Sequence, residues 1–283
     1  MASFTNFATL SYNGGTTNSN IVTGEILEAL TAVKTAVSAN YSAGDRIAYA
    51  LSLVNTGTTA VTDYTVTDNL GGYTVGANTV YPLAYNAGTV RYYINGVLQA
   101  APAVTAGPPL TVTGLTVPAG GNAVLIYETT ATNVAPLATG NSITNTATIT
   151  GGGLTNPITA QATVETANSA DLTISKALSP TTVTENGQIT YTFVISNTGN
   201  TEATAADNVI VTDTFDPILR NIAVTYNGTA WTEGTNYTYN ATTGVFATQA
   251  GQITVPAASF TQNADGTFTV TPGTATLVIT GTI

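Results

Sequence analysis

The stretch KTAVSANYSAGDRIAYALSLVNTG (residues 34–57) returns without a gap as KALSPTTVTENGQITYTFVISNTG (residues 176–199). In the first copy Ile47, Tyr49, Leu51 and Leu53 alternate with small residues, and Ile189, Tyr191, Phe193 and Ile195 repeat the alternation in the second. A period of two puts each set on one face of a β-strand. The repeat runs on from there. Val66-Thr-Asp68 matches Val211-Thr-Asp213, and an Asn-Gly hairpin signal follows in both copies, at Asn95-Gly96 and Asn227-Gly228. An apolar strand comes next, Pro118 to Tyr127 in one copy and Pro272 to Ile279 in the other. Repetition on this scale predicts an all-β chain of two tandem Ig-like, Greek-key β-sandwiches.

The composition fits and narrows the chemistry. A chain of 283 residues, 43% hydrophobic and 7% charged, is long enough for about two domains. It has no Cys and no His, which excludes Ser-His-Asp and Cys-His nucleophiles, disulfides and the usual zinc ligands. Five basic residues against 15 acidic give a net charge of -10, which repels phosphate backbones and anionic membranes, so neither nucleic acid nor membrane is an expected partner. No cofactor or metal is implied. The start, Met1-Ala-Ser-Phe4, lacks the basic and apolar segments of a secretory signal, so release by cell lysis is expected over secretion.

The copies differ at their ends. The first continues into Asn141-Ser-Ile-Thr-Asn145-Thr-Ala-Thr-Ile149, and the second reaches Ile283 before any equivalent. The beginning of the chain, Phe4-Thr-Asn6-Phe-Ala8-Thr-Leu10, matches that strand in character, with Phe4, Asn6, Ala8 and Leu10 on one face. The expected organisation is a donor strand and linker (residues 1–27), a complete sandwich (28–166), and a sandwich lacking its last strand (167–283). The helix-like Gly24 to Leu30 is read as linker or a single turn. An incomplete sandwich leaves an edge for another chain to fill, and a head-to-tail contact of that kind propagates into a filament unless it closes on itself.

Lys34 and Lys176 are the two lysines of the chain, and they occupy the same position of the two copies. Strand parity turns them inward, along with Asp68, Asp213 and Asn145. Desolvation disfavours both the ammonium and the carboxylate, and a neutral amine is a nucleophile. These residues predict autocatalytic isopeptide formation, in which Lys attacks the Asn amide while Asp68 or Asp213 moves the proton. The competing reading is a buried ion pair beside a hydrogen-bonded Asn in an ordinary sandwich.

At these residues the chain resembles the bacterial surface repeat known as domain of unknown function eleven. That family carries a Lys on the first strand, then Asn-x-Gly, Val-Thr-Asp-x-Leu and a closing Ile-Thr-Asn-Thr-Ala-Thr. The first copy has Lys34, Asn55-Thr-Gly57, Val66-Thr-Asp68-Asn-Leu70 and Ile143-Thr-Asn145-Thr-Ala-Thr148. The second has Lys176, Asn197-Thr-Gly199 and Val211-Thr-Asp213-Thr-Phe215, and departs where the Asn strand should stand. The resemblance implies collagen-adhesin-type domains with Lys34 and Asn145 bonded inside the chain and Asp68 as catalyst. It leaves Lys176 to bond Asn6 of a neighbour, with Asp213 as catalyst. The overall pattern is also similar to endospore appendage proteins of clostridia and their relatives.

The function expected is a structural subunit of a surface or spore appendage, a head-to-tail homopolymer that also meets other appendage or surface proteins. Its catalysis is confined to its own cross-linking. The alternative is an adhesin or stalk module stiffened by one internal bond. Weaker signals read as structure: Asn263-Ala-Asp265-Gly as a turn rather than a calcium loop, Asp207, Asp216 and Glu128 as solvated carboxylates rather than a glycosidase pair, and Trp231 to Tyr239 as a hairpin face rather than a sugar site.

Overall fold

The computed structural model describes residues 2–26 and 29–283, and these divide into two compact units. The first contains residues 2–135 and 142–165. The second contains residues 136–141 and everything from Thr166 onward.

The first unit opens with an arm of four short strands, β1 (Ala2–Asn6), β2 (Thr9–Tyr12), β3 (Gly15–Asn18) and β4 (Val22–Ile26). β1 pairs antiparallel with β4, and β2 with β3. Asn6 faces Val22 and Thr9 faces Asn18, so the arm is one hairpin with one extra residue on its returning side. This changes two sequence expectations. Phe4 to Leu10 is not an uninterrupted strand, because pairing breaks at Phe7 and Ala8, where the Ser19 amide donates to the Ala8 carbonyl (2.8 Å) and the Ala8 amide to Ser19 Oγ (2.9 Å). Gly24 is in a strand, not a turn: β4 has a partner in β1, and seven residues are too few to hold a helix alone. Leu27 and Glu28 lie outside the described residues.

The sandwich follows. β5 (Leu30–Ala36), β6 (Asn40–Tyr41), β7 (Arg46–Asn55) and β8 (Val61–Asp68) precede β9 (Arg91–Ile94), β10 (Val97–Leu98), β11 (Ala103–Thr105) and β12 (Leu110–Val117). β13 (Asn122–Ala131), β14 (Ser142–Gly151) and β15 (Ile158–Thr166) complete it. One sheet has the order β10-β9-β13-β7-β5, with Leu83–Tyr85 also on β13, and the other β11-β12-β8-β14-β15-β6. β7 alternates buried and part-exposed residues along most of its length, and its buried set, Ile47, Tyr49, Leu51 and Leu53, is the one read from the sequence. Asn95 (φ 48°) and Gly96 (φ 80°) make the two-residue β9–β10 turn, a left-handed pair that Asn-Gly adopts at little cost.

The second unit has a five-stranded sheet and a three-stranded one. Its strands are β16 (Leu172–Ser179), β17 (Gln188–Asn197), β18 (Thr212–Thr214), β19 (Arg220–Tyr226), β20 (Thr229–Trp231), β21 (Tyr237–Asn240), β22 (Val245–Thr248) and β23 (Gly273–Thr282). The sheet orders are β16-β17-β23-β19-β20 and β18-β22-β21, beside a separate hairpin, Ser259–Gln262 with Phe268–Thr271. Phe193, Phe215, Phe246, Leu277 and Ile279 form the centre of its core. β16, β17 and β23 repeat β5, β7 and β13 in order and register. Among the described residues there is no counterpart of β14 and β15.

The repeated Asn-Thr-Gly motif is a structural clamp. Asn55 Nδ2 donates to the carbonyls of Thr59 (2.8 Å) and Pro118 (3.1 Å), while its Oδ1 accepts the Gly57 amide (2.9 Å). Asn197 repeats all three, with Thr201 (2.7 Å), Pro256 (3.0 Å) and Gly199 (2.9 Å). Both Asn side chains are buried, and each ties the end of its strand to the loop that follows it and to a segment distant in sequence. A side chain at Gly199 would come within 2.2 Å of the Ser169 carbonyl oxygen, so the turn requires glycine.

Candidate functional site

In the first unit Lys34 projects from β5, Tyr49 from β7 and Tyr127 from β13 of one sheet, opposite Asp68 from β8 and Asn145 from β14 of the other. Lys34 Nζ donates to Asp68 Oδ2 at 2.5 Å, and both side chains are sealed from solvent, at 0% and 1% exposed. The Tyr127 hydroxyl donates to the same oxygen, and Asp68 Oδ1 accepts the Leu70 amide at 2.9 Å. The Lys34 ammonium lies 4.8 Å from the Tyr49 ring centre and 5.8 Å from that of Tyr127, close enough for cation–π attraction.

Asn145 completes the group. On β14 Ala147 pairs with Asp68, which puts Asn145 two residues away on the same inner face, fully buried. Neither its amide nitrogen nor its oxygen has a hydrogen-bond partner of normal geometry. The Tyr49 and Tyr127 hydroxyls nevertheless lie near enough to be influenced by it. Asp68 makes no hydrogen bond to this amide, because Lys34, Tyr127 and the Leu70 amide take up the carboxylate. A buried amide with both ends unpaired costs a few kcal/mol and is rare in a settled core.

Burial, only partly offset by Asp68, pushes the Lys34 amine down to about 8. Burial together with the Asp68 charge raises both the Tyr49 and Tyr127 hydroxyls well above the usual range, so both stay protonated. An Asn145→Ala variant, which has no amide to attack, keeps Lys34 as an amine and exposes the linkage. Its folded value lies below the ordinary 10.5, so the unfolded chain binds the extra proton between the two values. The penalty is then full below about pH 8 and shrinks as pH rises towards 10. Stability of this variant should therefore increase over that window, read by denaturant melts, until tyrosine ionisation in the unfolded chain reverses the trend above about 10.

The second unit keeps the pair but not the enclosure. Lys176 Nζ donates to Asp213 Oδ2 at 2.5 Å and lies 4.6 Å from the Tyr191 ring centre. The side chains are 41% and 17% exposed, whereas the parity of the sequence turned both inward. The orientation follows the pattern; what is missing is cover, since β16 and β18 are edge strands with nothing paired beyond them among the described residues. Val209 to Val211, which would continue β18 to the length of β8, form no ladder, and Ile210 is exposed. Ile279 of the second unit faces Tyr191 where Tyr127 of the first faces Tyr49. Asp213 therefore has no counterpart of the Tyr127 hydroxyl. Tyr127 was not singled out from sequence, and the signal that marks it is this difference between the copies.

Asn6, the expected partner of Lys176, is exposed in the arm, as are Phe4, Ala8 and Leu10. The weaker candidates are used in structure. Asp265 accepts the Thr267 amide and hydroxyl in a turn, Asp207 closes a capping box with Thr204, Glu128 pairs loosely with Arg46 (3.8 Å), and Trp231 stacks on Tyr226 (4.8 Å between ring centres).

Residues 176–276, inside the second unit, match the family described as BatD DUF11-like domain. The likeness covers about a third of the chain. No curated protein matches the chain. Among solved structures it is similar to the major pilin subunit of Bacillus cereus, with 14% identity over 96% of this chain and 73% of the pilin, at a TM-score of 0.35. It is also similar to the N-terminal domain of a Streptococcus gordonii adhesin, with 12% identity over 52% of this chain, at a TM-score of 0.36. The chain spans only 34% of that adhesin structure. The collagen-binding domain of a Staphylococcus aureus adhesin gives 14% identity over 50% of this chain and 99% of the domain, at a TM-score of 0.32. At such scores the overlays carry no argument, and the sandwich architecture rests on the strand pairing above.

Proposed function

We propose that the chain is a structural subunit of a bacterial surface filament, joined head to tail by donation of its arm into the second unit of the next copy. The observation that carries this is the contrast between the units. The same Lys-Asp pair is sealed beneath β14 in one and lies open beside an unpaired edge in the other, while the arm carries the sequence pattern of β14. On the β14 template Ala8 falls opposite Asp213 and Leu10 opposite Val211, which brings Asn6 to the place that Asn145 holds beside Lys34. A groove lined by Leu172, Ile174, Ile195, Val209 and Val211 is open beside this edge.

The chemistry is the same at both sites. The neutral lysine Nζ attacks the Asn side-chain carbon, and the Asp carboxylate takes the amine proton and delivers it to the leaving nitrogen. The Nζ–Cγ bond forms, the Cγ–Nδ2 bond breaks and ammonia departs. Proximity imposed by folding, rather than turnover, drives the step. At Lys34 and Asn145 the product is internal, with Asp68 moving the proton and Tyr127 holding Asp68 in place. At Lys176 and Asn6 the product joins two subunits, with Asp213 in the catalytic role. Resemblance to endospore appendage proteins makes the spore surface the proposed location, with other appendage proteins as further partners.

A second reading is a stalk or adhesin module, and what favours it is that the Lys34 site needs no other chain. Deletion of residues 1–26 separates the two, with sedimentation and electron microscopy as readouts. A filament subunit loses assembly and remains monomeric, whereas unchanged assembly would overturn strand donation.

A further inference from the structure

We infer that the arm is donated as an intact two-stranded hairpin, so that the next subunit receives replacements for both β14 and β15. The inference rests on the strand-donation reading above and names the form of the donor. In the first unit β14 does not close the sheet alone. β15 pairs along its far side, Ile143 with Val164, Asn145 with Ala162 and Ile149 with Ile158, and Ala162 and Val164 are buried beside it. Over β1 and β4 the arm has the same construction. Phe4 faces Gly24, Asn6 faces Val22 and Leu10 faces Thr17, so Gly24 and Val22 hold the places of Val164 and Ala162. A side chain at Gly24 would come within 2.4 Å of the Phe4 ring, so the hairpin is matched to itself, an aromatic packed over a glycine.

Phe4, Leu10 and Val22 are exposed in the free arm, a cluster of apolar side chains with no cover of its own. The receiving edge is short of more than one strand: among the described residues β14, β15 and the two-residue β6 all lack a counterpart there. β18-β22-β21 is three-stranded, while the matching sheet of the first unit continues from β8 through β14 and β15 to β6. A second copy of the chain is the occupant, because the arm and the last passage out of the first unit, after Glu165, leave it at opposite ends of β5. The arm joins at Leu30. The chain departs beside Ala39, where the Glu165 amide meets the Ala39 carbonyl at 2.9 Å. These ends are more than about 20 Å apart along the strand.

The test locks the hairpin. The chain has no cysteine, so Thr9→Cys with Asn18→Cys introduces the one disulfide, at a cross-strand pair whose side chains already touch at 2.8 Å. If the hairpin enters whole, oxidised subunits assemble as far as reduced ones, within about twofold by sedimentation. If β1 and β2 must peel away from β3 and β4, oxidation stops assembly and reduction restores it, which overturns the inference and leaves strand donation standing. A second lock, Ser11→Cys with Thr16→Cys, decides the case if the first variant fails in both redox states. Oxidised chains that become compact monomers with Lys176 protected from amine reagents would show self-insertion and overturn the choice of occupant. Wild-type protein that never assembles would remove the parent reading itself.

Discussion

Lys34→Ala should lower the melting temperature of the first unit by roughly 20 °C, through two losses. A bond from Lys34 to Asn145 closes a loop of more than a hundred residues, worth about 4–5 kcal/mol in the chain-entropy account of cross-links. Removing the amine also strands Asp68, which is sealed from solvent with only Tyr127 and the Leu70 amide left to it. Breaking a buried pair from one side costs about 3–5 kcal/mol. For a unit of this size each kcal/mol is worth about 2–4 °C. The double substitution Lys34→Met with Asp68→Leu separates the two losses, because replacing both charges with apolar groups removes the stranded carboxylate but does not restore the bond. It should recover about half of the fall. A double variant melting at or above wild type would mean that no covalent bond stabilises the unit.

Lys176→Ala should barely change the monomer and should transform the polymer. The Lys176 and Asp213 side chains are part-exposed in the free chain, and an ion pair of that kind contributes at most about 1 kcal/mol. Melting of the isolated subunit should therefore move by no more than a few degrees. Filaments should still form, since the strand pairing and apolar contacts of the donated arm do not involve the amine. Boiling in detergent should then release monomers from the variant and a ladder of multimers from wild type. Identical ladders from both would remove Lys176 from the joint.

Much of the fold was legible because period-two burial in β7 and β17 and the two Asn-Gly turns are local rules that the sequence states directly. The Lys-Asp pairs were legible for a different reason. A chain with only two lysines, both at one position of a repeat, makes that position conspicuous. What the sequence did not yield depends on partners distant in the chain. Tyr127 is one of many tyrosines until β13 sets it across from Asp68, and Ile279 in its place in the second unit is informative only once the strands are in register. The arm was read as a single strand because residues 4–10 alternate well. Its return through Val22 and Gly24 lacks the β-rich run that announces a strand, and one extra residue hides the pairing from a simple count. The exposure of Lys176 follows from neighbours that the described second unit does not contain, which no periodicity reports.

The central claim is that the two lysines end as amides, one within the chain and one between chains. Peptide mapping by mass spectrometry on assembled wild-type protein tests it most directly. The account predicts a Lys34 peptide joined to the Asn145 peptide and a Lys176 peptide joined to the Asn6 peptide, each pair one ammonia lighter than its parts. The second pair should be absent from monomers. Recovery of all four peptides separately, at their unmodified masses, from filaments that had assembled would contradict it.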